Sequence, residues 1–206
     1  MDNYRLQVEG AKKYFLRYDQ EVLIRKLHLK ADEDYLYTKM LGKSYRIHRR
    51  SGTVERLEDT WIETNSHGEL MTLLDLVCDS KEGRFISGRW VNMLSFGRMF
   101  HQNLMGNGED TLARKIQENP DAFRRICETM GAGKAPGGDI GVTFELFDGL
   151  EIALQFWEGD EEFAPRVRFL WDENASMYLK YETMWYALGM LKSRLLAQME
   201  SRKRTA

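Results

Sequence analysis

The sequence predicts an α+β fold, in which mostly antiparallel sheets carry an N-terminal helix and a long C-terminal helix packed on one face. Apolar residues recur every three or four positions near both ends of the chain, as in amphipathic helices. Between these regions, apolar and polar residues alternate in short runs separated by glycine-containing turns. The 206 residues contain no Pro- or Ser-rich linker, so we expect a single domain over residues 1–206.

The first predicted element is a helix over residues 3–29, with a break near Asp19. One apolar stripe recurs at helical spacing and is expected to face inward. Its members are Tyr4, Val8, Ala11, Phe15, Tyr18 and Val22. From residue 34 the period changes to two, which predicts strands over 34–41 and 44–49 joined at Gly42-Lys43, because glycine accepts the positive φ of a tight turn. A third short strand is expected over 53–57.

The middle of the chain is predicted to be mainly helical. Asn65 or Ser66 is suited to cap a helix over 68–79. Pro120 suits a first helical turn, and Gly131 suits the end of the same helix. The remaining elements are an extended or turning segment over 87–91, an irregular, partly buried connection over 92–108, and short helices over 109–118 and 120–130.

The C-terminal half is predicted to form a second group of strands. Two alternating runs, 142–147 and 150–157, flank Asp148-Gly149, which is a strong hairpin signal. A third strand over 166–171 and a final helix over 178–201 follow. The glycine-rich loop 132–139 lacks the glycine and hydroxyl positions of a P-loop and is expected to be a flexible connection.

Charge and composition exclude several classes of protein. The chain has 30 basic and 32 acidic residues, which does not suit a nucleic-acid partner, and the basic hairpin between Lys39 and Arg50 is expected to be a solvated edge. No apolar run approaches the length of a membrane span, and no signal-peptide pattern is present, so we expect a cytoplasmic protein without a membrane partner. Cys78 and Cys127 form no CxxC pair, so we assign no metal ligands.

Three segments carry a resemblance to a known family. They are Gly88-Arg89-Trp90-Val91, the run Leu154–Pro165 (LQFWEGDEEFAP) and the run Phe169–Ala175 (FLWDENA). They resemble a family of prokaryotic proteins named domain of unknown function 3786, and the similarity runs over nearly the whole chain. The resemblance implies an anaerobic setting and a link to a four-iron, four-sulfur domain of the corrinoid iron–sulfur type. Because this chain has no cluster-binding cysteine run, the resemblance implies a cluster on a separate partner protein.

The acidic turn formed by Glu158, Asp160, Glu161 and Glu162 is the first candidate site. Carboxylates concentrated beside Trp157 and Phe163 suit a hard cation, a cationic ligand or a basic partner. The twelve-residue calcium loop of an EF-hand is absent. The alternative is a solvated connection between two strands, with the aromatic rings packed beneath it.

An aromatic pocket is the second candidate. A flat conjugated ligand would favour walls made by aromatic side chains. The candidate residues are Trp90, His101, Trp157, Trp171 and Tyr178. His101 is also a candidate axial ligand to a haem or corrinoid metal. The alternative is that the tryptophans are core residues and that His101 is a hydrogen-bonded structural residue.

Two further carboxylates, Asp75 and Asp79, lie one helical turn apart beside Cys78. Such a pair can perform acid/base chemistry, but an exposed helix face is the usual explanation and is what we expect.

These observations favour a binding or accessory module in anaerobic redox or corrinoid- and iron–sulfur-linked metabolism, with a small-molecule ligand or an iron–sulfur or corrinoid protein as partner. The alternative is a small-molecule enzyme that uses carboxylates of the 158–162 turn as acid, base or metal ligands. The cofactor is not identified by the sequence.

Overall fold

The computed structural model describes residues 3–97 and 111–203. Within these residues the chain forms six helices and two five-stranded antiparallel sheets, which confirms the predicted α+β class. The chain divides into two compact units. Unit 1 contains the described residues of Met1–Ile86, Leu146–Leu150 and Asn174–Ala187, and unit 2 contains those of Ser87–Glu145, Glu151–Glu173 and Leu188–Ala206.

The N-terminal part of unit 1 is helical, with the predicted break. Helix α1 spans Asn3–Phe15 and α2 spans Gln20–Leu27. Asp19 caps α2, since its Oδ1 accepts hydrogen bonds from the amides of Glu21 at 3.0 Å and Val22 at 3.4 Å. The side chain of an N-cap residue accepts hydrogen bonds from amides that have no partner inside the helix. Asp19 therefore marks the start of a second helix.

The first sheet of the chain lies within unit 1, and its five strands follow one another in chain order. The strands are β1 (Lys30–Ala31), β2 (Tyr35–Met40), β3 (Lys43–His48), β4 (Val54–Leu57) and β5 (Trp61–Glu63). The β2–β3 turn is formed by Leu41 and Gly42, both with positive φ, so it lies one residue before the predicted Gly42-Lys43 position.

Helix α3 (His67–Asp79) is held to this sheet by the buried carboxylate of Glu69. The hydroxyl of Tyr45 donates to Glu69 at 3.1 Å, and that of Thr64 donates at 2.6 Å. The Arg56 guanidinium contacts both carboxylate oxygens, at 2.6 and 2.7 Å. Ser66 caps the helix, as predicted for one of two positions. A buried charge with this many donors stays ionised without a large penalty.

The second sheet has the order β6-β10-β9-β8-β7. Its strands are β6 (Trp90–Asn92), β7 (Gly133–Lys134), β8 (Ile140–Phe147), β9 (Leu150–Trp157) and β10 (Arg166–Asp172). Asp148 and Gly149 both have positive φ and join β8 to β9, as predicted. Strand β7 lies inside the loop predicted to be a flexible connection, which corrects that prediction for Gly133 and Lys134.

Three helices complete the described chain. Residues 111–118 form α4, Pro120–Thr129 form α5 and Tyr181–Lys203 form α6. Asn119 caps α5 by accepting a hydrogen bond from the amide of Ala122 at 3.0 Å. Helix α6 begins three residues later than predicted, and a short 3₁₀ turn over Ala175–Met177 precedes it. The described helices include none long and apolar enough to cross a membrane.

Candidate ligand-binding site in unit 1

A cleft of about 380 Å³ opens in unit 1 between α1, α3 and the residues that begin α6. Its walls include the apolar side chains of Ala11, Met71 and Leu74, and the rings of Tyr14 and Tyr186. Asp75, Asp79 and Lys180 supply polar groups at the same cleft. Both the volume and the mixture of apolar walls with a few polar groups are typical of small-molecule sites.

The two carboxylates come together because α3 places residues four apart on one face. Only 6% of the Asp75 side chain and 20% of the Asp79 side chain are exposed. The prediction of an exposed helix face is therefore wrong for Asp75. Its Oδ2 accepts a hydrogen bond from the backbone amide of Lys180 at 2.9 Å, so the chain before α6 covers this face.

Lys180 joins the two carboxylates through its ammonium group. Its Nζ lies 3.1 Å from Oδ1 of Asp75 and also hydrogen bonds to Oδ2 of Asp79. The same Nζ lies 5.4 Å from the ring centroid of Tyr14, within cation–π range. Lys180 thus lies against both the acidic and the aromatic parts of the cleft.

Two tyrosines of the N-terminal region complete the hydrogen bonding of Asp79. Its Oδ1 accepts from the hydroxyl of Tyr14 at 3.1 Å and from that of Tyr18 at 3.2 Å. The two hydroxyls lie 2.9 Å apart. These donors stabilise the ionised form of Asp79.

The pKa values of the two carboxyls move in opposite directions. Burial raises the pKa of Asp75, and its hydrogen bond with Asp79 adds to the rise. Burial alone would also raise the pKa of Asp79, but hydrogen bonds from Asp75 and Lys180 lower it on balance. Asp75 is therefore the member of the pair that binds a proton more tightly, and Asp79 is the member that ionises first.

The pKa values of Lys180, Tyr18 and Lys26, which lie around the pair, are also shifted by burial and by neighbouring groups. For Lys180, burial acts to lower the pKa, but the hydrogen bond to Asp79 and the ion pair with Asp75 raise it above the ordinary lysine value, so the group stays cationic. Burial and the hydrogen bond with Tyr14 raise the pKa of Tyr18, which keeps its hydroxyl a donor. Burial lowers the pKa of Lys26, whose Nζ donates to the carbonyl of Cys78 at 3.0 Å.

This arrangement offers a bound molecule an apolar wall and, beside it, two carboxyl groups with opposed pKa shifts and an ammonium group. Such groups can orient a ligand by hydrogen bonds or exchange a proton with it. Among the described residues there is no group of three His, Cys, Asp or Glu side chains that could hold a metal ion.

The acidic turn in unit 2 has a well-defined conformation. The Oδ1 of Asp160 accepts hydrogen bonds from the amides of Glu162 and Phe163, both at 2.8 Å, and the Asp160 amide donates to the Phe163 carbonyl at 2.9 Å. The Phe163 and Glu162 amides lower the pKa of Asp160. Glu158, Glu161 and Glu162 are exposed. Their role in binding stays a prediction.

Two of the predicted aromatic residues lie on opposite faces of the second sheet. Trp90 is paired with Asp172, whereas Trp171 is paired with Val91. Directly opposed residues share a face and successive residues alternate, so Trp90 and Trp171 point to opposite sides. Trp171 is fully buried, and Trp90 is half-buried.

Trp157 is distant from Trp90, although the two share a face of the sheet. Its register partner is Arg166, whose guanidinium carbon lies 4.6 Å from the Trp157 ring centroid. Arg166 is six residues before Asp172 on β10, which corresponds to roughly 20 Å along the strand. The three tryptophans therefore do not share one wall.

The remaining two residues of that group belong elsewhere. Tyr178 is buried in unit 1, where the guanidinium carbon of Arg84 lies 5.8 Å from its ring centroid. His101 lies outside the described residues. A ligand-binding role for these two residues stays a prediction.

The sequence analysis did not select three residues that line the cleft, namely Tyr14, Lys180 and Tyr186, or Tyr18, which donates to Asp79 beside it. Tyr14 and Tyr18 are four positions apart, which places them on one face of the predicted helix, although Tyr18 lies beyond the end of α1 at Phe15. Nothing local distinguishes Lys180, whose partners come from α3.

Two of the segments that carry the family resemblance lie side by side at one edge of the second sheet, where β6 pairs with β10. The buried carboxylate of Asp172 accepts hydrogen bonds from the amide of Gly88 at 2.8 Å and from the amide and hydroxyl of Ser87 at 3.2 and 3.0 Å. Next to it, Arg89 and Glu173 form an ion pair at 2.7 Å. These contacts fix the conformation of the Gly88–Val91 segment against Asp172 and Glu173. The residues that make these contacts therefore have a structural role.

Comparison with known proteins agrees with that resemblance. A family model described as "Domain of unknown function (DUF3786)" matches residues 19–194. Searches of curated proteins and of solved structures gave no match. Because the family match covers most of the 206 residues, the chain belongs to the DUF3786 family.

Proposed function

We propose that this protein is a ligand-binding module whose small-molecule ligand occupies the cleft between α1, α3 and Lys180. The observation that carries this proposal is the buried Asp75, which lines the cleft beside Asp79 and Lys180. Burying a carboxyl group costs free energy that a purely structural apolar residue would not. A polar group retained on the wall of a mostly apolar cleft is a reason to expect a polar ligand.

The setting of the protein is part of the same proposal. The family resemblance supports a cytoplasmic accessory protein of an anaerobic prokaryote, with an iron–sulfur or corrinoid protein as its partner. An affinity-tagged chain incubated with an anaerobe's extract, without oxygen, tests the partner. Enrichment of an iron–sulfur or corrinoid protein supports the proposed partner. Recovery of the tagged chain without such a protein opposes it.

Native mass spectrometry of protein purified without oxygen tests the cleft itself. Gly10 lies on α1 and lines the cleft, and a Cβ added there would meet nothing within 4 Å. Gly10→Trp should therefore fill the cleft without disturbing the helix. Gly189→Trp is the matched control, because Gly189 is also a helical glycine with open space but lies in unit 2.

The expected result is a mass excess over the denatured chain that Gly189→Trp retains and Gly10→Trp loses. A mass excess that survives in Gly10→Trp would place the ligand elsewhere and contradict the proposal. If the protein is recovered without a bound ligand, the parent and the two variants are dialysed against a small-metabolite extract. Their masses are then compared at saturating ligand concentrations.

A second function is supported by the opposed pKa shifts of Asp75 and Asp79. A carboxylic acid and a carboxylate held side by side are suited to general acid/base catalysis. In such an enzyme Asp75 would donate a proton to the substrate and Asp79 would accept one. Conversion of a bound metabolite by the parent, but not by Asp79→Asn, is the distinguishing result.

Catalysis or binding by the 158–162 carboxylates remains an alternative with less support from geometry. Asp160 is engaged by two backbone amides, and the other three carboxylates are exposed to water, which weakens their interaction with a ligand. Asp160→Asn combined with Glu162→Gln should weaken any binding or activity at this turn. Unchanged binding would remove the turn from consideration.

A further inference from the structure

The ammonium group of Lys180 already occupies the polar end of the cleft. It lies 3.1 Å from Oδ1 of Asp75, bonds to Asp79 and stands 5.4 Å from the Tyr14 ring centroid. Carboxylates together with an aromatic face are the surroundings in which proteins bind ammonium ligands. The Lys180 side chain is 62% exposed, so it covers these groups from the rim of the cleft and can be displaced into water.

The charges around the cleft also favour a cation. Three of the described residues that line it are acidic, namely Asp75, Asp79 and Glu182, and one, Lys180, is basic. The net charge of these four groups is −2 when both aspartates are ionised and −1 when the pair holds one proton, so the lining is negative in either state. A cationic ligand lowers this excess, whereas an anionic ligand would bring like charges together.

Asp75 supplies an independent sign of an incomplete site. Its Oδ1 is buried and accepts no hydrogen bond from a described residue. The contact with Lys180 Nζ is an ion pair without the direction of a good hydrogen bond. A ligand ammonium carries three N–H donors, which can be directed at both carboxyl groups once the Lys180 side chain has moved aside.

We propose, on the basis of the ligand-binding function above, that the ligand is an amine with an apolar body, and that its ammonium group replaces the Lys180 Nζ beside Asp79 and Asp75. Met71, Leu74 and Tyr186 then contact the body of the ligand. Lys180 acts as an internal competitor, which the ligand must displace before it binds.

Isothermal titration calorimetry with phenethylamine tests this inference, with 3-phenylpropionate as the anion of matched size. Lys180→Met removes the internal competitor, and Asp79→Asn removes the carboxylate. Lys43→Met and Asp59→Asn are the controls, because Lys43 pairs with Glu58 away from the cleft and Asp59 is exposed. Circular dichroism and thermal midpoints establish that each variant is folded.

The expected result is that phenethylamine binds the parent, binds Lys180→Met about tenfold more tightly and binds Asp79→Asn about tenfold more weakly. Both controls should stay within about twofold of the parent. Preferential binding of 3-phenylpropionate, with loss of binding in Lys180→Met, would overturn the amine inference and leave the cleft as a ligand site. Failure of both compounds to bind, even to Lys180→Met, also overturns the inference. The Gly10→Trp comparison then shows separately whether the cleft binds another ligand.

Discussion

Nζ of Lys180 lies 3.1 Å from Oδ1 of Asp75, although the two residues are 105 positions apart in the sequence. This contact joins α3 to the start of α6 and forms the polar end of the cleft in unit 1. The buried member of the pair, Asp75, has a raised pKa. Its titration therefore connects the candidate site to the stability of the protein.

Asp75→Asn should change how stability depends on pH. Because burial raises the folded pKa of Asp75 above its unfolded value, the folded state holds the proton more tightly. The stability that this provides is fully present below about pH 3.9 and is lost as the pH rises through the folded pKa. Asparagine resembles the protonated acid, so the variant should match the parent near pH 4 and exceed it by about 1 kcal/mol at pH 8.

Urea denaturation at a series of pH values measures this difference, with the exposed Asp59→Asn as control. If Asp75→Asn loses stability relative to the parent as the pH rises, the assignment of a raised pKa to Asp75 is wrong.

Arg56→Met should destabilise unit 1 strongly at pH 7. It leaves the carboxylate of Glu69, of which only 6% is exposed, without its guanidinium partner. Removal of one member of a buried ion pair costs about 3 kcal/mol. Adding Glu69→Gln should recover part of this loss, because it removes the unpaired charge. The exposed Arg50→Met, measured in the same denaturation experiment, should change little.

Glu69 should also contribute to acid lability. Burial acts to raise its pKa, but hydrogen bonds from Thr64 and Arg56 lower it on balance. Its stabilising contribution is present above the unfolded value of about 4.3 and is lost as the pH falls through the folded pKa. Glu69→Gln should therefore show a shallower loss of stability in acid than the parent, and an equal slope would contradict this assignment.

Both cysteines should react slowly in the native protein. Burial raises the pKa of both Cys78 and Cys127 to about 12, so almost no thiolate is present at pH 8. Ellman's reagent should react slowly with the folded chain and with both cysteines once the chain is unfolded in guanidinium. Rapid native reaction at either thiol would show that its surroundings open readily.

Gly159→Ala should test the conformation of the acidic turn. A Cβ at this position would lie 2.5 Å from the nitrogen of Pro165 and 2.8 Å from the carbonyl oxygen of Phe163, so the backbone must shift. The expected cost is about 2 kcal/mol. Gly189→Ala is the control, since it adds a methyl group in open space on α6 and should stabilise the helix by about 0.5 kcal/mol. Equal thermal midpoints for both variants would contradict the close packing of Pro165 and Phe163 around Gly159.

The sequence was most informative where structure depends on neighbouring residues. Asp19 and Ser66 each cap the helix predicted to follow them, and Asp148-Gly149 joins the two predicted strands. These signals are local, since each depends on a few adjacent residues. Strands β1, β5 and β7 have two or three residues and carry no measurable period, so sequence periodicity does not reveal them.

The candidate site was harder to predict because tertiary contacts create it. The spacing of Asp75 and Asp79 was visible, but their burial depends on α1 and on Lys180, which pack against α3 from distant parts of the chain. The aromatic pocket shows the same difficulty. The register of β6 and β10 decides that Trp90 and Trp171 lie on opposite faces, and a one-residue difference in register would have put them together.

The central claim, that the cleft of unit 1 binds a small molecule, is tested most directly by methionine methyl NMR. Met71 lines the cleft, whereas Met93 is buried in unit 2. Addition of a small-metabolite extract should shift the Met71 methyl signal, leave Met93 unchanged and have no effect on Met71 in Gly10→Trp. A ligand that binds the parent without moving Met71, or that moves it equally in Gly10→Trp, would contradict the claim.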